Sequence, residues 1–173
     1  MALYRVKQFI WGITSLFKPI NYTYINKFLT EEEIKLFNKL KINDKHHCIR
    51  VCKDCIEMKN NLNIDIDEYK LGRAALLHDI GKSKRYLSLI EKSIVVLLNK
   101  ATNGKIKKYS NIPQINIYYN HPEIGVKILM ENGFDINDEL LQVVKYHHCE
   151  NIININDEIN VLLNIIKVCD DKN

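Results

Sequence analysis

Apolar and polar positions recur along this chain at three- and four-residue spacing almost end to end, the period of helices that bury one face. Leu3, Val6, Ile10, Ile13 and Phe17 keep that spacing and predict an amphipathic helix docked on the domain. "TEEEIKLFNKL" opens with Thr30 and places Glu33 three residues on, a capping box before an apolar stripe. "NDKHHCIRVCKDCIEMKNNL" predicts a long helix capped by Asn43 or Asp44. "IDEYKLGRAALLHDIG" predicts another, closed by Gly81 as a left-handed C-cap. "LSLIEKSIVVLLNKA" ends near Asn103-Gly104, and "NHPEIGVKILMENG" starts from Asn120 or His121 with Pro122 in its first turn. "NDELLQVVKYHH" and "NDEINVLLNIIKVCDD" each follow an Asn-Asp-Glu start, and the one long non-helical reach is 103–120. No hairpin signal separates alternating runs. The pattern predicts an all-α, single-domain helical bundle, with residues 1–43 packed on the same domain as 44–173.

Composition narrows the partners. The 173 residues suffice for one core without staples. A net charge of +4 is spread along the chain apart from "GKIKK" at 104–108, read as a solvated loop, so nucleic-acid binding is not expected. Five cysteines, an odd count, fit reduced thiols in a cytoplasmic protein. Cys52 and Cys55 form a CxxC, but inside a helix beside Cys48 they read as small packing residues. The N-terminal apolar stretch lacks a small-residue cleavage site, and no run is long enough to span a bilayer. Glycine-rich phosphate loops and nucleophile elbows are absent.

Candidate chemistry lies in the histidines. All six fall in four places, each a predicted helix start or end: His46 and His47, His78, His121, His147 and His148. His47 shares a helix face with Val51, Asp54 and Met58, whereas His46 points off it. Asp170 extends the apolar face of Leu163 and Ile166, and a carboxylate carried toward a core is costly unless paired or metal-bound. In "LLHDIGK", His78 and Asp79 are adjacent, which on a helix splays them about 100° apart. Both reach one site only if the helix ends there. Any one of these histidines alone reads as a satisfied core residue. Together with the two aspartates they read as a metal site built from several helix termini.

The ordered set His47, His78-Asp79 and Asp170 resembles the signature of the HD superfamily of metal-dependent phosphohydrolases. "HCIRVC" is similar to the family's opening histidine helix, "LLHDIGK" to its HDIG variant, and "HPEIG" and "KYHH" to the extra histidines of dinuclear members. The likeness spans roughly 44–171 and is nearest to small stand-alone bacterial HDIG proteins. It implies that His47, His78, Asp79 and Asp170 hold one divalent ion, and that Asp79 bridges to a second held by His121 and His147. Iron, manganese and nickel are all used in the family. Lys82 is implied beside the site, neutralising a phosphate oxygen while water activated between the ions attacks phosphorus. Arg50 and His148 are candidate substrate contacts. Arg50 has a surface pairing with Asp54 as its bland alternative, and Lys82 a solvated C-cap role. No "GYP" follows "YHHCEN", which argues against cyclic-di-GMP cleavage, and Asn43 stands where trinuclear members carry Glu. The expected activity is hydrolysis of a nucleotide or other small phosphoester or phosphoanhydride. Alternatives are a diadenosine-polyphosphate or cyclic-nucleotide hydrolase, or a regulatory module without turnover. The aromatic N-terminal segment suits a homodimer surface as well as an intramolecular lid.

Overall fold

The computed structural model describes residues 18–149 and 157–173. Their eight α-helices are α1 Tyr22–Ile25, α2 Glu31–Phe37, α3 Ile42–Asn61, α4 Glu68–Leu77, α5 Leu89–Ala101, α6 Pro113–Glu131, α7 Glu139–Tyr146 and α8 Asp157–Asp171. Two 3-10 turns, Ile80–Lys84 and Lys105–Tyr109, lead from α4 to α5 and from α5 to α6. No strand occurs among the described residues, so the all-α expectation holds. The helix expected over Leu3–Phe17 lies outside them.

The long helix α3 packs against α4 and α8, burying Cys48, Val51, Cys52 and Cys55. These three cysteines are packing residues, and all five in the chain are free thiols. Ile25, Leu36 and Phe37 from the first two helices, and Phe28 from the turn between them, enter that same core. Each such buried aliphatic or aromatic side chain is worth about 1.5–3 kcal/mol. Phe28 lies flat on α4 because position 72 is glycine; a Cβ there would fall 2.3 Å from the ring. The Thr30–Glu33 capping box forms as expected. The Glu33 carboxylate is buried because Arg73 of α4 holds it, at 2.5 Å, while gripping Asp138 before α7 with two bonds of 2.9 and 3.0 Å.

Four boundaries differ from the pattern-based expectation. Helix α3 starts at Ile42 behind Lys41 with no side-chain cap; Asp44 lies in the first turn instead, where its charge favours the helix N-terminus. Helix α4 ends at Leu77, and Gly81 is not a left-handed cap but part of the 3-10 turn. Helix α6 begins at Pro113 and runs straight through Pro122. A proline suits the first helical position, whereas the interior one removes a backbone donor and presses its ring toward the Tyr118 carbonyl, a cost that packing of the helix must offset. Finally, "KIKKY" is a 3-10 turn that buries Ile106, not a bare solvated loop.

Candidate metal centre

Gly81 and Gly125 explain how the histidines meet. A Cβ on Gly81 would sit 1.8 Å from the His121 carbonyl oxygen and 2.8 Å from the Gly125 nitrogen. One on Gly125 would crowd Val144 at 2.7 Å and the Gly81 nitrogen at 3.2 Å. The two motif glycines therefore bring the 3-10 turn directly onto the backbone of α6. His78 closes α4 in helical conformation, and Asp79 leaves the helix at φ −98°, ψ 12°. That bend turns both side chains inward. His121 projects from the middle of α6, not from a helix end as its sequence context suggested. His147 caps α7, His47 lies in the second turn of α3, and Asp170 ends α8.

Asp79 is the centre of the group. Its Oδ2 faces His47 Nε2 and His78 Nε2, each at 3.5 Å. Its Oδ1 faces His121 Nε2 at 3.2 Å and His147 Nε2 at 3.8 Å. Asp170 Oδ1 stands 2.9 Å from His47 Nε2 and 3.7 Å from His78 Nε2. His148 joins at the edge, with its Nε2 3.2 Å from that of His121. The ligand-type atoms thus form two clusters sharing Asp79: one with His47 and His78, one with His121, His147 and His148.

The tautomers are set by main chain. His78 Nδ1–H donates to the Ala75 carbonyl and His147 Nδ1–H to that of Val144, both at 2.8 Å. His121 Nδ1–H donates to the carbonyls of Ile117 and Tyr118, each at 3.2 Å. Tyr118 is four residues before Pro122, which has no N–H to give it. The proline thus leaves an acceptor for the imidazole. With Nδ1 committed, each Nε2 carries a bare lone pair toward Asp79. His78 Nε2, His147 Nε2 and Asp79 Oδ1 are fully buried with no hydrogen-bond partner. Orphaned acceptors of this kind are costly, and together they fit a divalent cation: imidazole nitrogen and carboxylate oxygen are the donors of transition-metal sites.

Electrostatics agree. Burial alone would raise the Asp79 carboxyl, but the charges of Lys82, His78 and His121 hold it well below the usual carboxylate range. Burial likewise opposes ionisation of Asp170, but His47 at bonding distance and His78 beside it hold its carboxyl below the usual range. His147 stays neutral because it is buried among other imidazoles. His148 is depressed to about 4, first by burial and then by His121. Lys82 is bonded to Asp79 Oδ2 and, despite burial, is held above the ordinary lysine range by Asp79 and Asp44.

Among the remaining candidates, Arg50 is engaged at the end of the chain. Its Nε donates to Asn173 Oδ1 at 3.3 Å, and Asn173 Nδ2 donates to Asp54 Oδ2 at 2.7 Å, so the asparagine mediates the pairing expected of Arg50 and Asp54. His46 meets the Lys18 carbonyl, off the site. The sequence reading missed Lys92, in the first turn of α5, whose ammonium is lowered first by the like charge of Lys82 and which also feels Asp79 and Asp170. It missed Pro122 as well, although the His-Pro dipeptide carries that signal.

A model of the HD domain matches residues 45–172. No curated protein matches the chain, and no solved structure does.

Proposed function

The chain belongs to the HD-domain family, and on that premise we propose that it is a metal-dependent phosphohydrolase of a nucleotide or other small phosphoester or phosphoanhydride. The observation that supports this best is the split of Asp79, one oxygen toward each histidine pair. In this reading His47, His78, Asp79 and Asp170 hold one ion, and Asp79, His121 and His147 a second. Bound there, divalent ions supply an acidified water for attack on phosphorus and Lewis-acid binding of phosphate oxygens.

The chain's own groups do the rest. Backbone carbonyls hold the imidazoles of His78, His121 and His147 with their Nε2 atoms turned toward Asp79. Lys82, bonded to Asp79 in the structure, would be free to meet a phosphate oxygen if Asp79 held an ion. Lys92 adds a second positive charge from α5, one that the Lys82 ammonium opposes. His148, beside His121, is placed to donate to the substrate.

Metal analysis of protein purified without chelator, paired with phosphate release from a nucleotide panel in manganese or ferrous iron, tests the proposal. About two ions per chain are expected for a bridged pair of this kind. Asp79→Asn should lose most bound metal and at least about a hundredfold of activity while keeping its helical content. Full metal and full turnover in that variant would remove the bridge. Two ions without release from any phosphoester would make the protein a binding module.

A further inference from the structure

Helix α5 exposes the wrong face for one that serves only the fold. It keeps Val95 against Ile106 and Ile115, and Asn99 against the hydroxyls of Tyr118 and Tyr119. Its opposite face carries Ile90, Ile94, Leu97 and Leu98, exposed at 72, 50, 65 and 47 %. Their spacing of four, three and one makes a continuous stripe about 100° wide. Such a stripe left in water marks an interaction surface.

The charge around it has one sign. Between Glu91 and Glu123 lie five lysines and no acidic residue, against +4 for the whole chain. Four of them, Lys100, Lys105, Lys107 and Lys108, are exposed at the end of α5 and in the 3-10 turn packed against it. Protein interfaces are depleted in lysine and anchored by Trp, Tyr and Arg. Aliphatic residues beside unbalanced lysines suit a lipid boundary, where the former enter the acyl edge and the latter meet headgroup phosphates.

We infer that the α5 stripe and the lysines following it dock the protein peripherally on an anionic lipid surface. No described helix is long and apolar enough to cross a membrane, so the contact is interfacial. The inference is independent of turnover at the metal centre.

Flotation with phosphatidylcholine vesicles, with and without an equal share of phosphatidylglycerol, tests it. Wild-type protein should float with the anionic vesicles alone and be released by salt. The double variants Ile94→Asp/Leu97→Asp and Lys107→Glu/Lys108→Glu should each lose about tenfold or more of the bound fraction. All four positions are outward, so melting temperature and metal content should stay at wild-type values. No flotation, or equal flotation on the zwitterionic vesicles, would overturn the inference. Undiminished binding by Ile94→Asp/Leu97→Asp would overturn it too, placing the attachment elsewhere, for example in residues 1–17. A wild-type dimer that this variant splits, with no vesicle binding, would make the face a protein interface instead.

Discussion

Pro122 and Gly81 do more for the site than their place beside ligands suggests. Pro122→Ala returns a backbone N–H that competes with His121 Nδ1–H for the Tyr118 carbonyl. Metal affinity should then fall about 10- to 100-fold with the helix intact, read by titration of chelated protein. Gly81→Ala places a methyl group 1.8 Å from the His121 carbonyl oxygen, which backbone cannot avoid without moving. A loss of about 1–3 kcal/mol, seen in urea unfolding, is expected together with weaker metal retention. At this scale the side chains that gather around Asp79 were legible, because six histidines confined to four places are hard to explain by packing alone. The reason for Gly81 was not. Its sequence neighbours suggested a left-handed cap, whereas the demand comes from α6, which only tertiary structure brings near.

Element boundaries obey capping chemistry where a side chain does the capping. Thr30–Glu33 and Ser88–Glu91 both form reciprocal boxes. Where a proline or a charge substitutes for a cap, as at Pro113 and Asp44, the pattern misplaced the helix start. Glu91 does a second task, since its Oε1 also accepts from Gln114 of α6 at 3.0 Å and from Arg85 at 3.1 Å. The Ser88 backbone N–H first, then Gln114, hold its carboxyl at about 2 instead of 4.5. A depressed carboxyl stabilises the fold at pH values above the free value, and that share is lost as pH falls from 4.5 through about 2. Glu91→Gln should therefore lower the urea midpoint above this window and flatten its decline across it.

Across the whole molecule, a single bundle was readable because helical periodicity leaves no other way to bury so many apolar faces. The α5 surface was not. Its stripe has the same spacing as the buried ones, and nothing in the periodicity says which faces find partners. The centre itself gathers His47, His78, His121, His147 and Asp170 from five helices around one bend at Asp79. Three of its imidazoles are aimed by carbonyl oxygens of their own helices. Every residue type supplies a carbonyl, so these hydrogen bonds do not depend on which side chains stand at Ala75, Val144, Ile117 or Tyr118, although the first three are fixed in size by the core around them. The direction of these imidazoles thus depends on the helical turns and not on side-chain chemistry in that layer. Insertions, deletions and new prolines in those turns are the changes able to unseat it.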